Sequence, residues 1–190
     1  MPSNGVGLSM DSSLLKEDPL GWWVDRMYLQ DVWAIASAHS TDASTQVAAA
    51  LVLPKKGGII LSAWNSVPPR VRLSGCNLMP DAKNFCTEHA ERSVLFKAIK
   101  NGLPTDGLHL YSTWSACAEC SRAIIEFGIT RFVTFRRLVE ATPTKWESSM
   151  QSGIQMMRDS GVSVVGWVGD IGSTDTIRFG GRTVSAEELR

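Results

Sequence analysis

The strongest constraint on this chain is the stretch from Thr87 to Cys120, which carries His89-Ala90-Glu91 at one end and Cys117-Ala118-Glu119-Cys120 at the other. Two thiolates and an imidazole are borderline-soft donors suited to zinc, and three protein donors leave one tetrahedral position free for water. An open position points to chemistry rather than scaffolding. A shared metal also forces two separate segments to meet on one side of the fold. Cys117 and Cys120 lie at i and i+3, which puts both sulfurs on one side of a first helical turn. Positions i and i+2 of a helix point about 200° apart, so His89 and Glu91 cannot share a face deep inside one. The metal is therefore expected off a helix N-terminus, facing the positive end of its dipole, with His89 in the irregular start and Glu91 one turn in.

Around that stretch the residue pattern predicts one element after another. Met1 to Pro19 has no periodicity and reads as a flexible arm. Gly21 to His39 carries Trp22, Trp23, Met27, Val32, Trp33, Ile35 and Ala36 at helical spacing. No basic residues interleave its tryptophans, so they belong to the core or a subunit interface rather than to a base-stacking platform. Thr45–Leu53 and Gly58–Trp64 flank Pro54-Lys55-Lys56-Gly57 as a β-hairpin. A long loop then runs from Ser66 to Phe85, in which Arg70 and Arg72 could clamp a phosphate or could be two solvated charges. Thr87 is expected to cap a helix that stops at Asn101-Gly102, with Leu108–Thr113 a short strand after it. A helix from Cys117 to Gly128 and a strand over Arg131–Phe135 complete a βαβ unit with parallel strands. Trp146–Ser160 reads as a helix and Val162–Val168 as a strand buried on both faces. Thr176–Phe179 and Arg182–Val184 form a small hairpin, and Ser185-Ala186-Glu187-Glu188 is a capping box. The parts add up to a central mixed sheet with helices on both faces: an arm over residues 1–19, then one domain over 20–190 with a C-terminal hairpin and helix extension.

Nineteen basic residues balance nineteen acidic ones, so the whole-protein field does not gather a polyanion, which weighs against a nucleic-acid partner. No apolar h-region follows Met1 and no long apolar span occurs, so no membrane contact is expected. The four cysteines, Cys76, Cys86, Cys117 and Cys120, are then expected to be reduced thiols of a cytoplasmic protein. A closed zinc knuckle would need a fourth ligand from Cys76 or Cys86, and a Cys117–Cys120 redox pair would leave His89 and Glu91 unexplained. A second zinc on Cys76 and Cys86 with His39 or His109 has no motif spacing behind it.

A His-x-Glu and a Cys-x-x-Cys around one zinc, with the Glu as general acid/base, is the arrangement of zinc nucleobase deaminases. Glu88-His89-Ala90-Glu91-Arg92, Thr113-Trp114-Ser115-Ala116-Cys117-Ala118-Glu119-Cys120 and the strand start Ser44-Thr45-Gln46-Val47-Ala48-Ala49 resemble the cytidine and deoxycytidylate (dCMP) deaminase superfamily, over about Gly21 to Val168. Trp146 to Gly161 and the strand after it look most like the dCMP deaminase branch. The resemblance implies an α/β, three-layer α-β-α fold with a central mixed five-stranded sheet. It implies zinc-dependent hydrolytic deamination of a pyrimidine deoxynucleotide, dCMP or a 5-substituted dCMP, and makes a nucleotide effector and a homo-oligomer family possibilities. In that frame His89, Cys117 and Cys120 hold zinc, Glu91 moves protons, Asn65 orients the sugar, the backbone at Ala90 and Ser115 reads the pyrimidine edge, and Arg70 or Arg72 holds the phosphate. Two departures stand out: Ala116 replaces the family's Pro, and Ala63-Trp64-Asn65-Ser66 replaces the Gly-Tyr-Asn-Gly of dCMP deaminases. Trp114 before Ser115 is also seen in polynucleotide cytidine deaminases. Two rivals stay open: a deaminase acting on a base in tRNA or single-stranded nucleic acid, and an inactive zinc-binding interaction module.

Overall fold

The computed structural model describes residues 13, 15, 22–54, 57–71 and 82–189. Its centre is a five-stranded sheet built from β1 (Ala48–Val52), β2 (Ile59–Trp64), β3 (His109–Ser112), β4 (Arg131–Phe135) and β5 (Ser163–Trp167), in the order β2-β1-β3-β4-β5. β1 runs antiparallel to β2 and β3, while β3, β4 and β5 are parallel. This is the mixed sheet and the βαβ unit expected from the sequence. All five residues of β1 are buried, which explains why an inner strand reads as a continuous apolar run rather than an alternation.

Neighbouring residues of β3 show how the layers form. Tyr111 faces α1 (Trp22–His39), where its hydroxyl donates to Asp25 at 2.6 Å and its ring meets Tyr28 edge-on. Ser112 points the other way and donates to Glu91 at 3.1 Å. The same alternation on β4 sends Arg131 and Phe135 to Asp25 and Trp33 of α1. So α1 covers one face, and the other carries α3 (Ala90–Lys100), α4 (Ala118–Glu126) and α6 (Thr144–Asp159), with α4 packed against both α3 and α6. Two short helices, α2 (Ala82–Cys86) and α5 (Arg136–Glu140), interrupt stretches that carry no helical period. Strands β6 (Thr176–Phe179) and β7 (Arg182–Ser185) form a separate antiparallel hairpin. Its turn, Gly180-Gly181, has φ of 59° and 80°, the conformation that two-residue hairpin turns need and that glycine adopts without strain.

One expectation is corrected. Thr87 does not cap α3, which starts at Ala90 with His89 in the N-cap position. The residues before it are drawn instead into backbone pairing with the end of β2, where Ser66 and Glu88 exchange bonds of 3.2 and 2.9 Å. Of the N-terminal arm, two residues are described, Ser13 and Leu15. Leu15 is buried, its carbonyl accepts from Arg136 at 3.0 Å, and it packs so closely on Gly166 of β5 that a Cβ there would lie 2.6 Å from its Cδ1. The rest of residues 1–19, Ser13 aside, lies outside the described residues. Trp33 is core as expected, whereas Trp23 is 70% exposed. The capping box forms, Ser185 and Glu188 bonding each other's backbone N–H at 3.3 and 3.1 Å. Among the described residues no helix is long and apolar enough to cross a membrane.

Candidate metal centre and substrate pocket

The site lies beyond the carboxyl end of β3, where parallel α/β sheets place their crevices. Thr113 continues the pairing with β1, its N–H donating to the Ala48 carbonyl at 3.1 Å. Trp114, Ser115 and Ala116 then carry the chain to Cys117, the N-cap of α4. His89, at the N-cap of α3, faces it. The Nδ1 atom of His89 is 3.5 Å from Cys117 Sγ and 3.4 Å from Cys120 Sγ, and the three donor atoms all lie within 4.8 Å of one another. A tetrahedral zinc with bonds of about 2.3 Å to sulfur and about 2.0 Å to nitrogen sets those atoms about 3.5 Å apart. The donor set therefore fits the ion in type and spacing.

The charges agree. A hydrogen bond from the Cys120 thiol, outweighing burial and helped by His89, lowers Cys117 to about 4. Cys120 is pushed up, because it faces that thiolate and is itself buried. His89 is raised by its bond to Cys117 against the opposing effect of burial. Two thiolates side by side are unfavourable for the protein alone, and a dication removes that conflict.

Glu91, the second residue of α3, is 3% exposed. Burial pushes its carboxyl up, partly offset by His89 and by the bond from Ser112. The two ligand-bearing segments are tied together by Arg92, which donates to Glu88 at 2.6 Å and also to Glu119 of the first turn of α4.

A cavity of about 450 Å³ opens at this centre, a size that suits a small ligand. His89, Ala90, Glu91, Asn65 and Ser115 all line it. The Asn65 side chain is largely engaged: Oδ1 accepts from Ser40 at 2.6 Å and from Val47 N–H at 2.9 Å, and Nδ2 donates to the Thr45 carbonyl at 2.8 Å. One amide hydrogen is left for a ligand. Ser115 Oγ is buried and has no hydrogen-bond partner among the described residues. Arg70 does not line the cavity; it is exposed, on a turn at φ 74°. Arg72 and Cys76 lie outside the described residues. Among the described residues the cations at the cavity are Lys83 and Lys145 instead. Cys117 and Cys120 are free thiols, as expected. Cys86 is disulfide-bonded, which corrects the expectation of four reduced thiols and removes it as a fourth ligand. Among the described residues no second cluster of metal donors occurs, and His39 is stacked on Trp64 at 4.6 Å.

Residue type alone does not reveal the remaining participants. Ser112 is found only through the facing of β3 and α3, and Arg92 carries just the weak signal of Glu88 four residues before it. Trp146, Met150, Phe179 and Gly181 reach the cavity from elements after β4.

The profile described as "Cytidine and deoxycytidylate deaminase zinc-binding region" matches residues 24–136. ComE operon protein 2 of Bacillus subtilis (strain 168) is 35% identical over 80 residues, which are 42% of this chain and 41% of that relative. The chain thus matches about two fifths of that curated relative's length. Among solved structures, dCMP deaminase from the cyanophage S-TIM5 in apo form superposes with a TM-score of 0.57 at 23% identity, covering 74% of this chain and 95% of that one. The same enzyme in complex with dCMP and dUMP gives 0.53 at 23% identity, covering 78% and 98%. A diaminohydroxyphosphoribosylaminopyrimidine deaminase/reductase from Thermotoga maritima gives 0.50 at 21% identity, covering 76% and 36%. Likeness at these identities shows a shared fold.

Proposed function

The chain belongs to the cytidine and deoxycytidylate deaminase zinc-binding family, and from that premise we propose that it hydrolytically deaminates a pyrimidine deoxynucleotide, dCMP or a 5-substituted dCMP. The observation that carries the reading is Glu91, a buried carboxylate that no Lys or Arg among the described residues bonds, two residues from His89 and lining the same cavity. Zinc held by His89, Cys117 and Cys120 supplies the Lewis acidity that makes water a nucleophile near neutral pH.

The chain's own groups do the rest. Glu91 accepts a proton from the attacking water and passes it to N3 of the ring as the new C4–O bond forms. It then carries the remaining hydroxyl proton to the exocyclic nitrogen. The C4–N bond breaks, ammonia leaves and the C4 carbonyl is complete. A carboxyl raised by burial is suited to holding that proton between the two transfers. Ser112 occupies one of its oxygens and fixes the other toward the relay. Asn65 offers its remaining amide hydrogen to the sugar, while the backbone of Ala90 and Ser115 meets the pyrimidine edge. The cavity volume and the zero net charge support a free nucleotide over a polymer, and the cyanophage enzyme of the same fold was crystallised with dCMP and dUMP.

Ammonia release should be measured on dCMP, 5-methyl-dCMP, deoxycytidine and a cytosine-containing oligonucleotide. The proposal expects the monophosphates to react fastest. Turnover confined to the oligonucleotide would replace it with the nucleic-acid reading, and zinc-loaded protein inactive on the whole panel would favour an interaction module.

A further inference from the structure

Helix α6 lies beyond the matched region, yet one stripe of it touches every segment that carries a metal donor. Trp146 meets the His89 ring edge-to-face, 6.0 Å between centroids. One turn on, Ser149 Oγ accepts a bond from Ala118 N–H at 3.1 Å. That amide is the first unpaired donor of α4, and Cys117, its N-cap residue, makes no side-chain cap. A further turn on, Gly153 lies against the same backbone. A Cβ there would sit 2.5 Å from Ser121 Oγ, 2.9 Å from the Ala116 carbonyl oxygen and 3.2 Å from the Cys117 carbonyl carbon. These positions fall at i, i+3 and i+7, one face of a helix. Ala116 leaves φ of the turn they back unlocked where a proline would fix it.

We propose that α6 positions the zinc site: Ser149 and Gly153 hold the Ala116-Cys117-Ala118 turn from behind and thereby aim the Cys117 thiolate. The inference rests on reading Cys117 and Cys120 as zinc ligands. Ser149 and Gly153 are positioning residues, because each acts on backbone that carries a ligand rather than on the metal or the substrate. Gly153 permits the close approach and Ser149 fixes the register. Partners of this indirect kind are worth about 10- to 100-fold in metal affinity.

The test uses the full, zinc-loaded chain, with zinc release to a chelator and the visible spectrum of the cobalt-substituted protein as readouts. Ser149→Ala should release zinc roughly 10-fold faster and shift the cobalt bands, whereas Ser149→Thr should restore both. Ser148→Ala, at an exposed neighbouring position, is the reference and should match wild type. Gly153→Ala should act in the same direction; if it does not fold, the Ser149 pair still decides. Wild-type release and an unchanged cobalt spectrum in Ser149→Ala would overturn the proposal. Cys120→Ser separates the two levels. Zinc lost from Cys120→Ser but held normally by Ser149→Ala sinks only the positioning role, while zinc held normally by Cys120→Ser sinks the ligand reading and this inference with it.

Discussion

Asp25 and Glu91 are 1% and 3% exposed, and they accept hydrogen bonds from adjacent residues of one strand, Tyr111 and Ser112. They lie on opposite faces of the sheet and are completed in opposite ways. Arg131 grips Asp25 with two parallel bonds of 2.7 and 2.6 Å, the bidentate geometry that suits a planar guanidinium to a carboxylate. Burial, followed by the bond to Asp25, raises Tyr111 far enough to keep it a donor. Glu91 meets no such cation; beside it are His89 and Cys117. A buried carboxylate with a full set of partners holds a fold together, and one left short of a cation marks a place where charge is meant to change.

Substitution at the two carboxylates should therefore give inverse results. Glu91→Gln is expected to cut turnover by about 10²- to 10⁴-fold, the range for a lost general acid/base, with zinc content and melting temperature at or above wild type. Asp25→Ala should do the reverse. It removes the carboxylate that part-buried Arg131 grips and should lower unfolding free energy by about 3–5 kcal/mol in urea titrations, with kcat of the folded fraction unchanged. Equal stability in Asp25→Ala, or equal turnover in Glu91→Gln, would erase the distinction.

The donors on β3 sharpen it at smaller amplitude. Tyr111→Phe and Ser112→Ala each remove a buried hydrogen bond, costing about 0.5–1.5 kcal/mol. Only Ser112→Ala should also slow ammonia release, because only its partner, Glu91, is the proposed proton carrier.

A third carboxylate, Asp42 at the cavity rim, gives the smallest effect. Burial alone would push it up, but Lys83 and the backbone N–H groups of Thr45 and Ser44 outweigh that and hold it below its ordinary value. Its folded pKa is thus depressed, so its stabilisation is present above about pH 4, the unfolded value, and fades as pH falls through the lower folded one. The difference in unfolding free energy between wild type and Asp42→Asn should be largest at neutral pH and shrink in more acidic buffer. A difference that grows on acidification would reverse the sign assigned to Asp42.

What the sequence revealed divides along the same line. The parallel strands, the start of α4 at the Cys117 turn and the donor set from His89 to Cys120 are legible because each depends on spacing within one short segment. Thr87 misleads as a cap because Glu88 is claimed by Ser66, 22 residues earlier in the chain, and local propensity carries no trace of that pairing. Asp25 reads only as a polar residue of an amphipathic helix, since its partner Arg131 is 106 positions away. The cavity rim is harder still. Arg70 has the chemistry for a phosphate, yet among the described residues Lys83 and Lys145 are the cations that line the space. Which side of a loop faces a pocket is settled by tertiary packing, and the hairpin that brings Phe179 there is anchored by Arg178 and Gln46, whose backbone and side-chain bonds span 132 residues.

The central claim is that one zinc, held by His89, Cys117 and Cys120, makes this chain a deaminase of pyrimidine deoxynucleotides. Zinc should be stripped by a chelator and titrated back while ammonia release from dCMP is followed. The account predicts activity that is absent without metal, rises in proportion to zinc and levels off at about one equivalent per chain, the stoichiometry of a single three-ligand catalytic site. Full turnover in the stripped protein, or zinc that rebinds without any ammonia release from dCMP or its 5-substituted forms, would contradict it.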